Sequence, residues 1–210
     1  SMRVLRASAF VGFNLGPVSI AAGPQIDFGK LTLARQIDFI IEEGSVDIDT
    51  QAKGVGGHLA LFSQPLDTLS VGLTYRTQSS LEFDGYATFE TPPEFQSRAT
   101  SGPVSSSLTL PDRIALGIEW QPIKGLHVSA EVEKNNWSSI NEMVIDFDDP
   151  GTEDVQKERK WANTVATRLG MTYGLNPETE LRLGGFIDPS PVPAETVGVD
   201  SPDSGRIGLT

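Results

Sequence analysis

The chain contains no cysteine, which removes disulfides, thiolate-bound zinc, iron–sulfur clusters and thiol catalysis together. Histidine is almost as scarce, since His58 and His127 are the two imidazoles. Basic residues are few: Lys+Arg 16 against Asp+Glu 28 gives a formal net charge of −12, so no basic footprint exists for nucleic-acid phosphate. No apolar run reaches the roughly 18 residues that mark a membrane-spanning helix, and helical periodicity is hard to find. The 210 residues, with Gly 21 and Pro 14, suit one turn-rich folded domain. Ser1-Met2 reads as a scar of tag removal, and Arg206 to Thr210 as the opening of a strand.

What the chain has instead is alternation. Leu5, Ala7, Ala9, Val11, Phe13 and Leu15 recur at every second position, with Arg6, Ser8, Gly12 and Asn14 between them. The same period runs through Leu69, Val71, Leu73 and Tyr75, through Ile114, Leu116, Ile118 and Trp120, and through Leu126, Val128, Ala130 and Val132. It returns from Val165 to Tyr173 and from Leu181 to Gly185. A side-chain period of two belongs to strands with unlike faces. The pattern predicts an all-β chain, a single unit over 1–210, of eight or nine antiparallel strands in an up-and-down meander.

Turn chemistry sorts the connections. Short ones are expected at Gly16-Pro17, Pro65 to Thr68, Pro122 to Gly125 and Asn176 to Thr179, and long ones at about 42–54, 78–107, 138–160 and 188–205. Tight turns then gather at one end and long loops at the other. Acidic residues in the long segments, such as Glu42-Glu43, Asp146 to Asp149 and Glu153-Asp154, suit solvated loops or a divalent-cation surface, without EF-hand spacing.

Two orientations fit such strands. A soluble antiparallel β-sheet module, binding or structural, buries the apolar face and leaves Glu119, Glu131, Arg168 and Arg182 in water. A transmembrane β-barrel inverts this, with the apolar face in lipid and the charged face around a lumen. The sorted connections, the small Gly12, Gly72, Gly117, Gly170 and Gly184 on the polar face, and Tyr75, Trp120, Trp137, Trp161 and Tyr173 near strand ends favour part of a barrel.

Particular residues carry a family resemblance. Leu110-Pro111-Asp112-Arg113-Ile114 leads into Leu116-Gly117-Ile118, Trp137-Ser138 closes a strand, and Trp161 precedes Arg168-Leu169-Gly170 and Tyr173. Then come Leu183-Gly184-Gly185-Phe186, Asp188-Pro189-Ser190-Pro191-Val192-Pro193, Pro202-Asp203 and Arg206. In these motifs the chain resembles the FadL/TodX-type outer-membrane transport family. The resemblance implies passive transport of long-chain fatty acids or aromatic hydrocarbons across the outer membrane of a Gram-negative bacterium. It implies a hydrophobic small molecule and outer-membrane lipid or detergent as partners, no cofactor and no enzymatic step. By position the chain resembles the middle and later strands of the family, without its N-terminal hatch, early strands and closing strand.

No catalytic constellation is expected. His58 and His127 stand on different strands, Ser105 to Ser107 lack a nucleophile-elbow glycine pattern, and Gly54 to Gly57 precede a strand rather than a helix. Arg76, Glu119, Glu131, Arg168 and Arg182 are expected to line the lumen as a cross-strand charge ladder. Lys157, Arg159 and Lys160 beside Trp161 are the candidate ligand site, where cations would attract a fatty-acid carboxylate and the indole would cover the acyl chain. Phe83, Tyr86, Phe89 and Phe95 are candidates for a greasy landing surface.

Overall fold

The structure is a computed structural model that describes residues 1–38, 43–95, 100–198 and 203–210. Its strands are β1 (Met2–Ser8), β2 (Val11–Leu15), β3 (Val18–Asp38), β4 (Glu43–Leu66), β5 (Leu69–Arg76), β6 (Ser79–Glu90) and β7 (Gly102–Leu110). Then follow β8 (Arg113–Ile123), β9 (Leu126–Asn135), β10 (Glu142–Phe147), β11 (Val155–Glu158), β12 (Thr164–Asn176), β13 (Thr179–Asp188) and β14 (Arg206–Leu209). All fourteen join one antiparallel sheet.

The sheet forks at β4. Along one edge β4 pairs with β3, whose far side carries β1 and β2. Along the other, its C-terminal part pairs with β5 and its N-terminal part with β6. From β5 a lower tier runs on through β8, β9, β12, β13 and β14; from β6 an upper tier runs through β7, β10 and β11. Tight turns at residues 16–17, 67–68, 124–125 and 177–178 close the lower tier. Gly16 and Gly125 adopt φ of 69° and 83° there, a left-handed conformation that glycine enters without a Cβ clash.

These ladders correct the expected fold class. Eight or nine strands forming part of a barrel do not describe this chain: among the described residues there are fourteen strands and no ladder joins β14 to β1 or β2, so the sheet is not closed. The count differs because several passes are broken in two. The breaks line up along the hydrogen-bonding direction. Ala9-Phe10 lies opposite Gly23-Pro24, and these lie beside Gly57-His58 and then Arg76-Thr77, whose neighbours are Pro111 to Arg113, Asn135-Asn136 and Asn163-Thr164. Side chains and loop backbone take over the bonds lost at the breaks: Thr77 N–H donates to the Gly57 carbonyl at 3.0 Å, Asn136 N–H to the Asp112 carbonyl at 3.1 Å, and Asn136 Nδ2 to Asp112 Oδ2 at 2.7 Å. The expected long loops at about 42–54 and 78–107 are largely strand, because beyond the breaks their residues alternate apolar and polar again, and 138–160 carries the short β10 and β11.

Apolar side chains change face across this row. The face bearing Arg76, Glu133 and Arg168 is taken as the inner one. In the lower tier apolar residues occupy the outer face and are exposed: Leu116 is 45% exposed, Ile118 41% and Leu169 66%, whereas inner Ala115 and Ala166 are 7% and 1% exposed. In the upper tier the arrangement is reversed. Leu81, Phe83, Val104 and Leu108 are buried inside with Val46, Ile48, Ala52 and Ile140, while Glu82 and Asp84 face outward. β3 and β4 cross the level unbroken and make the same exchange within one strand: β4 turns Val55, Leu59 and Leu61 outward, but Val46, Ile48 and Ala52 inward. The upper tier obeys the rule for a sheet in water, and the lower tier the rule for a wall in lipid.

Candidate functional site

The inner face of the lower tier carries charge in cross-strand order. The register sets Arg168 across from Glu131, and its Nη1 donates to Glu131 Oε1 at 2.5 Å and to Glu133 Oε2 at 3.2 Å. Arg113 ion-pairs with Glu133 from the other side, and Asn135 Nδ2 donates to Glu133 Oε1 at 2.8 Å. Three donors compensate the burial of this carboxylate, as a buried charge requires. The register also sets Arg76 directly across from Arg113, and like charges so placed repel unless an anion lies between them. Glu133 is taken by Arg113 and Arg168. Arg76 Nε is closed off from solvent and meets no acceptor.

Two breaks bring a tryptophan each to this level. Trp137 opens a short 3-10 turn, Trp137–Ser139, after β9. Trp161 follows Lys160, whose φ of 50° is left-handed. That conformation costs an L-residue roughly 1–2 kcal/mol. It is held because the Arg159 and Lys160 N–H groups both donate to the Asn141 carbonyl, at 2.7 and 2.8 Å. The indoles meet edge to face, centroids 5.5 Å apart, and Trp161 Nε1 is buried without an acceptor. A buried donor left unmet costs about 1–3 kcal/mol.

The chain after β13 completes the wall. Asp188 accepts from Arg206 Nη2 at 2.7 Å, the Pro191 carbonyl accepts from Ala162 N–H at 2.8 Å, and Ser190 Oγ donates to Asp203 Oδ2 at 2.9 Å. The result is a cavity of about 570 Å³ between Arg76, Arg113, Arg168 and Arg206 on one hand and Trp137, Trp161, Pro191 and Val192 on the other. It combines cations with aromatic and aliphatic surface.

Residues 37–210 match the family model described as outer membrane protein transport protein (OMPP1/FadL/TodX). The chain belongs to this family. Family membership places it in the outer membrane of a Gram-negative bacterium. It is 25% identical over 136 residues to Outer membrane protein P1 of Haemophilus influenzae, across 65% of this chain and 29% of that protein. Its fold is similar to the crystal structure of a Pseudomonas aeruginosa FadL homologue, with a TM-score of 0.87 and 15% identity over 98% of this chain and 54% of that one. It is also similar to a TodX monoaromatic hydrocarbon channel carrying a ΔS2S3 mutation (TM-score 0.70, 15% identity, 98% of this chain, 60% of that) and to the CymD monoaromatic hydrocarbon channel (0.63, 16%, 89% and 59%). The chain thus spans under a third of the curated relative and little more than half of these structures.

Set against its OMPP1/FadL/TodX membership, the residues singled out from sequence divide unevenly. Of the set Lys157, Arg159, Lys160 and Trp161, Trp161 lines the cavity. Lys157 lies on β11 opposite Met143, Arg159 is buried with Nη2 3.8 Å from Met143 Sδ, and Lys160 ion-pairs with Glu158 at the surface. Of the charges Arg76, Glu119, Glu131, Arg168 and Arg182, the first and fourth line the cavity. Glu119, Glu131 and Arg168 border a second recess, of about 600 Å³, with Gly72, Gly117 and Gly170, and Glu119 also lies 3.2 Å from His127 Nδ1. Arg182 pairs with Glu180 on its own strand. Trp137 and Trp161 do not belong to an outer aromatic girdle as expected, because the breaks turn them onto the cavity; of the five, Tyr75, Trp120 and Tyr173 are exposed on the outer face.

The greasy landing surface is dispersed too. Phe83 is buried against Ala52 and Leu81, Phe89 packs on Phe147 at 5.7 Å, Tyr86 is exposed, and the Phe95 side chain lies outside what is described. Glu42 of the acidic pair and Pro202 of the Pro-Asp motif also lie outside the described residues. His58 meets Phe10 and Ser8 rather than His127, and among the described residues no group of three His, Asp or Glu could hold a metal. Sequence reasoning missed Arg113 and Arg206 as cavity residues. The available signal was their place beside the breaks, next to Pro111-Asp112 and Asp203.

Proposed function

We propose that this chain forms part of the wall of a passive passage for hydrophobic molecules through the outer membrane, with long-chain fatty acids and aromatic hydrocarbons as the substrate classes. The observation that carries the reading is the inversion in the lower tier, where Leu116, Ile118 and Leu169 stand exposed outside while Glu133, Arg113 and Arg168 are knitted together inside. A soluble module would have these faces the other way round. Outer-face apolar residues suit acyl tails, and inner-face ion pairs stiffen the wall without calling for a cofactor or a chemical step.

The wall would expose Arg76, Glu119, Glu131, Arg168 and Arg182 to the passage, with Trp161 at the cavity. The test is uptake by the full-length protein in vesicles whose outer leaflet is lipopolysaccharide, which slows unassisted entry of hydrophobic compounds. Uptake of a fatty acid or of toluene above that of protein-free vesicles is the expected result; equal uptake with and without protein removes the proposal.

A further inference from the structure

We infer that the outer face of β1, β3 and β4, where the apolar band of the lower tier gives way to the upper tier, is a docking surface for the phosphorylated glycolipid of the outer leaflet, with Arg3, Lys30 and Lys53 taking its phosphates. The inference goes beyond the transport reading and does not depend on it; it needs only the chain's place in the outer membrane. The tight turns that close the lower tier mark the periplasmic end of an outer-membrane wall. The upper tier therefore stands outside the cell, and the level between the tiers meets the head groups of the outer leaflet.

Three strands change chemistry together at this level. The outward positions read Ala7, Leu5, Arg3 on β1, Ile26, Phe28, Lys30, Thr32 on β3, and Val55, Lys53, Gln51, Asp49 on β4. The register sets Arg3 directly across from Lys30 and Lys53 across from Phe28, so the three cations border the exposed Leu5, Ile26, Phe28 and Val55. Like charges directly opposite on one face destabilise a strand pair, and an anion between them reverses the effect. Lys30 meets Asp49 at 2.9 Å, an exposed pair of small worth that a phosphate can replace. Glu82 lies across from Lys53 in the register, yet among the described residues neither Lys53 nor Arg3 has an ion-pair partner. Above the cations a recess of about 530 Å³ presents Thr32, Asp47, Asp49, Tyr86 and Thr88, whose oxygens can hydrogen-bond sugar hydroxyls. Apolar, cationic and oxygen-rich surface thus follow one another in the order of acyl chain, phosphate and saccharide in such a glycolipid. A lipid without phosphate satisfies the apolar row and leaves the cations facing each other.

The test measures binding of lipid A, and of lipid A stripped of its phosphates, to the full-length protein in detergent by native mass spectrometry. Wild type is compared with Arg3→Gln, Lys30→Gln and Lys53→Gln, singly and combined, with the charge-keeping pair Lys30→Arg and Lys53→Arg, and with Lys124→Gln at a periplasmic turn. Wild type is expected to prefer lipid A to the stripped lipid by about tenfold or more. Each single loss of charge should weaken lipid A about fivefold and the combined variant about a hundredfold, with the stripped lipid unchanged. The charge-keeping pair and Lys124→Gln should stay within about twofold of wild type. All three side chains are exposed, so the combined variant should keep the folded mobility of wild type on an unheated gel. Equal binding of the two lipids by wild type overturns the inference. So does a combined variant that holds lipid A as tightly as wild type; release of that lipid by a chelator would then place its phosphate on Asp47 and Asp84 through divalent cations. A parallel loss of both lipids in the combined variant makes the cations structural and overturns it as well. None of these results bears on uptake, which the vesicle experiment reads separately.

Discussion

At Gly23 the fold depends on a missing atom. A Cβ there would stand 1.7 Å from the Ala9 carbonyl oxygen, because the break between β1 and β2 folds backbone over β3 at that point. The obstruction is backbone rather than a flexible side chain, so Gly23→Ala should lower stability by about 1–3 kcal/mol or more, as overpacking does. A thermal melt in detergent reads this. Lys160 makes a complementary case. Its left-handed φ favours glycine over any β-branched residue, so Lys160→Ile should be about 1–2 kcal/mol less stable than Lys160→Gly in the same melt. The difference is the meaningful quantity, since both variants lose the exposed ion pair with Glu158, which contributes at most about 1 kcal/mol. Neither residue announces itself in sequence. Gly23 sits before Pro24 like an ordinary turn, and Lys160 reads as one charge in a basic run.

At the scale of the strand, exposure has opposite meanings in the two tiers. Leu116 on β8 is 45% exposed, and in a sheet bathed by water a charge there would change stability by less than about 0.5 kcal/mol. On a lipid-facing wall the same Leu116→Lys should cost about 2–4 kcal/mol near the bilayer midplane. Unfolding from lipid vesicles by urea distinguishes the two. Phe83 in the upper tier is 1% exposed, so Phe83→Ala should cost about 3–5 kcal/mol whatever the solvent, and that same titration measures it.

Period-two alternation made the lower-tier strands legible, from Leu69 to Tyr75 and Ile114 to Trp120, because the two faces of a strand meet unlike surroundings at every second residue. The upper strands were hidden for a physical reason. In β6, Glu82 and Asp84 alternate with Leu81 and Phe83, but acidic residues between Gly and Pro punctuation resemble a solvated loop as closely as they resemble a strand. The site was legible in its parts, Trp161 and Arg76. Their meeting was not, because it depends on breaks at Thr77-Gln78 and at 159–163 that rotate each into one cavity.

For the whole molecule, the exposed outer face of the lower tier sets behaviour in solution. Leu59, Leu61, Leu116, Val132, Leu169 and Leu183 are all exposed on it, and exposed apolar side chains shared by neighbouring strands make the kind of patch that drives association in water. Among the described residues the sheet also ends in edges with no partner strand at β14 and at β1 and β2, where backbone groups remain open to another chain. The 210-residue chain alone should therefore aggregate in aqueous buffer and disperse when detergent is added, a change that light scattering follows directly. A chain that stays monomeric without detergent would contradict this account of the outer face.

The unbroken passage of β3 and β4 through the level where their neighbours stop gives the molecule two beams and a hinge line. Elsewhere the tiers are joined by single backbone crossings, so heat or denaturant can melt the aqueous half while the half in lipid keeps its hydrogen bonds. Amide exchange should then show protection falling in two steps, with the amides of Val18 to Asp38 straddling both. Damage above the line would in that case leave a scaffold below it from which the upper half can be rebuilt.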